Sequence, residues 1–316
     1  MTDRPTVLVP HSVSPERTDE LRAELEAHLD DLRLAAADTP DETDALLPEA
    51  DAIVTFSLSA EDLERAGNLR WVQALSAGVD AYPLDALAEA GVALTNASGV
   101  HAEPIAEQVL CYMLMFARAL PAAARNQERN VWERTTGGEL RGKTVGVVGV
   151  GAIGGRVAEL ASALGTEVLG TKRDTSETPD GVDELYPADE YHEVLKRSDY
   201  VVLACPLTDA TRRMIGTDEF RLMSGDSVLV NIARGAVVDE SALERALQSH
   251  RIRGAALDVF EEEPLPADSP LWDLSNVVVT PHTAGATPHY LERCADLVAE
   301  NYERFVAGED LVNRVN

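Results

Sequence analysis

Three glycines, Gly149, Gly151 and Gly154, constrain this chain more than any other feature. They follow the β-branched run Val145, Val147 and Val148. They precede Ala152, Ile153, Val157, Ala158 and Leu160, an apolar face at helical spacing. Residues 143–160 therefore read as a buried parallel strand, a tight turn and a helix in succession. The first glycine permits the turn, the second lets backbone approach a pyrophosphate, and the third lets helix and strand pack closely. A bare G-x-G-x-x-G is common in ordinary turns. Between a strand and a helix it predicts a dinucleotide site, with Gly149, Gly151, Ala152, Ile153 and Gly154 against the phosphates at a helix N-terminus.

A length of 316 residues suits about two domains. The longest wholly apolar run, near residues 109–117, falls far short of the ~20 residues of a membrane span. The opening MTDRPTVLVP enters a strand without a basic and then apolar leader, so no secretory signal is expected. Cys111, Cys205 and Cys294 are widely spaced in apolar contexts, and read as reduced core residues of a cytoplasmic protein. Histidine and cysteine show no metal-ligand spacing, so no metal is expected in the chemistry. Charge is the unusual property. Acidic residues number 55 against 27 basic, for a formal charge of −28, and Lys143, Lys172 and Lys196 are the only lysines. The excess is dispersed rather than gathered in blocks. It argues against nucleic acid or an anionic membrane as partner, and fits a halophile's cytoplasm, where salt screens self-repulsion.

Short strand-like runs at 6–9, 52–56, 70–75 and 92–95 alternate with helical patterns at 15–29, 59–66 and 85–90. Alternation of this kind implies a parallel sheet with crossover helices. A long helix is expected over 101–120, with residues 109–117 apolar almost all round and the helix therefore buried on more than one side, followed by an irregular stretch at 121–142. Beyond the glycine turn, strands are expected at 167–171, 200–205, 227–233, 254–259 and 276–280, six in all with the first. The fold class is α/β with two Rossmann-like domains. A doubly wound dinucleotide-binding domain, 98–283, is inserted in a smaller flavodoxin-like substrate domain, 1–97 plus 284–316, whose last part is an amphipathic helix near 290–306.

Ligands of such sheets bind beyond the carboxyl ends of the strands. Cys205 and Pro206 with Thr211, then Ile232 and Ala233, and finally Ala284 stand at or beyond three of those ends, where a cofactor would lie. Arg234, Glu263 and His282 stand past three different strands. Reduction of a 2-keto acid by hydride requires these types. An imidazole can pass a proton to the carbonyl oxygen. A carboxylate can orient the ring and favour its charged form. A guanidinium can grip a carboxylate with its planar fork.

The motifs LSAGVD, TNASGVHAEPIAEQVL, LRGKTVGVVGVGAIG, CPLTDATRRMI, NIARGAVVDE, GAALDVFEEEPLP and TPHTAG span nearly the whole chain. Together they resemble the D-isomer-specific 2-hydroxyacid dehydrogenases of the glyoxylate/hydroxypyruvate reductase kind. The resemblance implies that Arg234, Glu263 and His282 are the catalytic trio, although Glu261 and Glu262 adjoin Glu263 and only its place before proline favours it. It implies that Ser76, Ala77 and Gly78, with Arg234 and His282, bind substrate. It also places Asp258 near the nicotinamide, and implies a homodimer formed through the 101–120 region. Related readings are a D-3-phosphoglycerate dehydrogenase-like enzyme and a non-enzymatic NAD(P)(H)-sensing protein on the same scaffold.

The choice between NADH and NADPH rests on the end of the second strand of the glycine unit. NAD enzymes usually carry an acidic residue there to accept from the ribose hydroxyls. Here Lys172 and Arg173 follow the strand directly, with Asp174 behind them. A basic pair suits a 2′-phosphate. NADPH is expected to be preferred, with NADH possible.

Overall fold

The computed structural model describes residues 4–29, 32–79 and 81–316. The opening Met-Thr-Asp and the closing Asp80 of LSAGVD lie outside them. The chain divides into two compact units, Met1–Val100 with Thr287–Asn316, and His101–Ala286.

The first unit begins with β1 (Thr6–Val9), α1 (Pro15–His28), β2 (Arg33–Ala36), α2 (Pro40–Leu46) and β3 (Ala52–Thr55). It continues with α3 (Ala60–Arg65), β4 (Trp71–Ala74), α4 (Leu84–Glu89) and β5 (Ala93–Thr95). Its five strands lie in the order β2-β1-β3-β4-β5, all parallel. This is the flavodoxin-like order. Strand β2 and helix α2 were not expected from the sequence. Arg33-Leu-Ala-Ala has little β propensity, and as an edge strand it needs none of the apolar continuity that marks buried β3.

The second unit holds α5 (Ala102–Ala117), α6 (Leu120–Glu128), β6 (Thr144–Val148), α7 (Ala152–Ala163), β7 (Glu167–Lys172), β8 (Glu184–Pro187) and α8 (Tyr191–Arg197). Then come β9 (Tyr200–Leu203), α9 (Thr217–Leu222), β10 (Val228–Asn231), α10 (Glu240–Gln248), β11 (Gly254–Leu257) and β12 (Val277–Val279). The final helix α11 (Tyr290–Ala307) belongs to the first unit, where it packs on α1 through Cys294, Ala295 and Val298.

The second sheet has seven parallel strands, not six, in the order β12-β11-β10-β9-β6-β7-β8. The additional strand β8 is a half-exposed edge ending in proline, and Arg197 pairs with its Glu184 at 2.7 Å. Nothing in its composition announces a strand. The order reverses between β6 and β9, the switch point at which this architecture binds ligands.

Two other expectations need correcting. The long helix ends at Ala117, because Ala119 takes a left-handed conformation (φ 55°), and α6 leaves at 73° to α5. Helix α5 also buries one broad face rather than more than one side. Ile105, Ala106, Val109, Tyr112, Met113 and Phe116 are buried, whereas Glu107, Cys111, Leu114 and Arg118 form an exposed stripe at helical spacing. Cys111 is thus a surface residue, while Cys205 and Cys294 are buried. Among the described residues, no single helix is long and apolar enough to cross a membrane.

Candidate active site

The glycine turn joins β6 to α7 at the switch point. Gly149 has φ 101°, a left-handed conformation, and a Cβ there would lie 2.8 Å from the Cys205 backbone. A Cβ on Gly154 would meet the Gly149 carbonyl oxygen at 2.2 Å, which is the close strand–helix contact expected of the third glycine. Gly151 differs: a Cβ there would meet nothing within 4 Å. Gly151 stands at the N-cap of α7, where no side chain caps the helix. Ala152 is exposed and Ile153 half-buried, so the buried face of α7 is Gly154, Val157, Ala158 and Ala161. Free helix N–H groups beside open space are the requirements of a pyrophosphate.

Thr171, near the end of β7, accepts the Gly149 N–H at 3.1 Å and so ties the turn to the ribose-reading edge. Lys172 is the last residue of β7 and Arg173 follows it, exposed. Asp174 accepts the Ser176 N–H at 3.0 Å. Its carboxyl sits below the usual range, because of the Ser176 hydrogen bonds first and the Lys172 charge last. The acid is thus engaged in its own turn, while the two cations stand at the strand end. Of the other expected cofactor neighbours, Cys205, Ile232, Ala233 and Ala284 are buried at the strand ends. Burial pushes the Cys205 thiol up to about 11. Thr211 closes its own loop instead, donating to the Pro206 carbonyl at 2.6 Å and accepting the Thr208 N–H at 2.8 Å.

The three polar residues beyond β10, β11 and β12 gather into one cluster. His282 Nδ1 lies 2.7 Å from Glu263 Oε2, while Glu263 Oε1 accepts the Phe260 N–H at 3.0 Å. Burial opposes ionisation of Glu263. The His282 hydrogen bond, the Phe260 N–H and the charges of His282 and Arg234 outweigh it, and hold the carboxyl below its ordinary range. The sign follows: this interaction is present above the ordinary carboxylate value and is lost as pH falls through the lowered one. Glu261 turns away to Arg213, at 3.3 Å, so geometry separates Glu263 from its neighbours. An apolar cavity of about 430 Å³ adjoins the pair, lined by Phe260, Pro264, Leu265, Trp272 and Pro281 among others.

Three residues within these motifs build the cluster in ways that the sequence did not assign to them. Asn231, 1% exposed at the end of β10, donates to the Arg234 carbonyl at 3.1 Å and accepts the Ala233 N–H at 3.1 Å, clamping the Arg234 turn from both sides. Its polarity at the end of an apolar strand was the available clue. Gly235 lies so close to the Phe260 carbonyl that a Cβ would fall 1.8 Å from its carbon. Asp258, 2% exposed, accepts Thr280 Oγ1 at 2.5 Å, the Thr283 N–H at 2.9 Å and the Ala284 N–H at 3.0 Å. Its carboxylate is therefore engaged by the His282 loop, a use that the expected place beside the nicotinamide did not include.

In the first unit, Ser76, Ala77 and Gly78 follow β4 at the carboxyl edge of its sheet. Ser76 Oγ donates to the Gly78 carbonyl at 2.7 Å, and Asn96 Nδ2 donates to the Ala77 carbonyl at 2.7 Å. Among the described residues, none accepts a hydrogen bond from the three backbone N–H groups of this loop. Successive free N–H groups make a concavity suited to an anion.

A doubly wound sheet, an open glycine turn and a His–Glu–Arg cluster at the strand ends define a nicotinamide-dinucleotide oxidoreductase scaffold. Residues 110–284 match the family model of the D-isomer specific 2-hydroxyacid dehydrogenase, NAD binding domain. A glyoxylate reductase of Aeropyrum pernix is 36% identical, over 99% of this chain and 96% of that protein. A D-3-phosphoglycerate dehydrogenase of Methanocaldococcus jannaschii is also 36% identical, over 90% of this chain, but the chain spans only 55% of its length. A D-isomer specific 2-hydroxyacid dehydrogenase of Xanthobacter autotrophicus, solved with NADPH and MES, superposes with a TM-score of 0.84 at 29% identity, covering 99% of this chain and 98% of that one. The chain belongs to the D-isomer-specific 2-hydroxyacid dehydrogenases.

Proposed function

We propose that this protein reduces 2-keto acids to D-2-hydroxy acids with NAD(P)H. The observation that carries the reading is the 2.7 Å contact of His282 with Glu263 on the strand edge that also holds Arg234. With Nδ1 engaged by the carboxylate, Nδ1 carries a proton and Nε2 becomes the working atom. A bound nicotinamide supplies the hydride. His282 Nε2 gives the carbonyl oxygen its proton and takes it back in the oxidative direction. Glu263 keeps the ring in that tautomer and orientation. Arg234 grips the substrate carboxylate and polarises the carbonyl. The N–H groups of Ser76, Ala77 and Gly78 receive the carboxylate in the role the family resemblance gives them.

Oxidation of NADPH with glyoxylate, hydroxypyruvate, pyruvate and branched 2-keto acids tests the reading. The assay belongs in molar salt, since we read the dispersed acidic surface, at −28 overall, as adapted to screening. Turnover of at least one acid is expected. Retained NADPH binding without turnover of any would favour a sensing protein on this scaffold.

For the cofactor we propose NADPH before NADH, on the strength of Lys172 and Arg173 at the end of β7 and the engagement of Asp174 by Ser176. Replacing both cations by glutamine should cut the NADPH-over-NADH preference by about tenfold to a hundredfold, the worth of one or two charge-assisted hydrogen bonds. An unchanged ratio of kcat/KM for the two cofactors would refute the assignment.

We further propose a homodimer through α5 and the segment after it. Leu114, Leu120, Val131 and Trp132 are exposed there, Trp132 at 98%. Isolated exposed apolar side chains are ordinary, but several within one short stretch mark an interaction surface. Sedimentation should return a mass near twice 34.0 kDa, and Leu114→Glu should lower it to one. A monomeric wild-type protein would end this reading.

A further inference from the structure

Tyr112 is 1% exposed in α5, on a face otherwise made of aliphatic residues, Met113 and Phe116, and nothing in the proposed chemistry uses it. Its hydroxyl meets Thr280 Oγ1, which in turn donates to Asp258 Oδ1 at 2.5 Å. A hydroxyl carries one proton, and the Thr280 proton goes to the carboxylate, so Tyr112 is the donor in the first bond. Burial above all holds the Tyr112 phenol above its ordinary value. The Asp258 charge adds to that shift, so the phenol remains a donor. The chain thus runs in one direction, from Tyr112 through Thr280 to Asp258.

Asp258 is what seats the loop bearing His282. Its carboxylate takes the Thr283 and Ala284 N–H groups, and its backbone carbonyl takes the His282 N–H at 2.9 Å. His282 itself lies in the left-handed region at φ 52°, which an L residue adopts only when its surroundings hold it there. Helix α5 touches the same loop a second time. His101, at the helix N-cap, places Nδ1 3.1 Å from the Gly285 carbonyl. One helix therefore contacts residues on both sides of His282, at Thr280 and at Gly285.

We propose that Tyr112 is a positioning residue for the reaction: acting through Thr280 and Asp258, it fixes the loop that aims His282. The inference rests on the function proposed above for the reaction itself, but the hydroxyl chain and its effect on the ring stand apart from it.

Tyr112→Phe keeps the ring and removes only the hydroxyl. We expect kcat on the best 2-keto acid to fall about tenfold, the worth of one hydrogen bond, while KM and the NADPH Kd stay within about twofold. Thr280→Val breaks the chain one step later, and serves also if the first variant does not fold. The double variant should fall no further than Thr280→Val alone, because the two groups act in series. A second readout needs no turnover. The ¹⁵N signals of the His282 ring, assigned against His282→Asn, should shift or broaden in Tyr112→Phe. A lower melting temperature with kcat and ring signals both unchanged would show a purely structural tyrosine and overturn the proposal. If the wild-type protein reduces no 2-keto acid, the ring signals decide alone: moved signals keep the positioning role while the proposed reaction fails, and unmoved signals end both.

Discussion

His282→Asn should lower kcat by about 10²- to 10⁴-fold while leaving NADPH binding intact, the range that one general acid–base group contributes. Asparagine is the informative replacement because position 282 has φ 52°, a conformation that asparagine tolerates better than alanine does. The loop backbone is held by Asp258 through the N–H groups of residues 282, 283 and 284, none of which the substitution removes. Folding should therefore survive while proton transfer does not. Equal loss of cofactor affinity and of kcat would instead mean that the loop had collapsed. Retained turnover would remove His282 from the chemistry altogether.

Gly235→Ala should be nearly as damaging for a different reason. The added methyl would fall 1.8 Å from the Phe260 carbonyl carbon and 1.9 Å from its oxygen, within bonding distance of main-chain atoms that no rotamer change can move. Either the Arg234 turn or the segment from Phe260 must shift. Phe260 donates its N–H to Glu263 and Glu263 holds His282, so a shift on either side separates the cluster. Overpacking of this kind costs about 1–3 kcal/mol or more in stability. A fall of about tenfold or more in kcat, in protein that still shows a cooperative unfolding transition, is expected from misplaced groups. Wild-type turnover and stability would show that the backbone gives way without consequence. Arg234→Lys offers a contrast, since it alters the cation but leaves the close approach untouched.

Much of the fold was legible because burial leaves a trace in composition. Val145, Val147 and Val148 mark β6, and the glycine register after it fixed the first strand, from which the remaining strand ends could be read. Elements without buried apolar continuity were missed: edge strands β2 and β8, and helix α6, which has no buried residue at all. The end of α5 was misplaced because its stop is a left-handed alanine, a conformation that leaves no mark in residue type.

The candidate site divides in the same way. Residue type and position at a strand end named Arg234, Glu263 and His282, because chemistry demands a cation, a carboxylate and an imidazole. Composition could not separate Glu263 from Glu261 and Glu262, and a 2.7 Å contact does so by geometry. Nor could it show Asn231 clamping the Arg234 turn, Gly235 lying against Phe260, or Tyr112 reaching Thr280 from 168 residues away along the chain. Residue order is enough to show which groups are present and that a dinucleotide turn precedes them, because turns, buried strands and reactive side chains are local properties. Which carboxylate the histidine meets, and what holds its loop in place, emerge in the folded chain. Those depend on distances between segments far apart in sequence, which packing sets and residue order does not record.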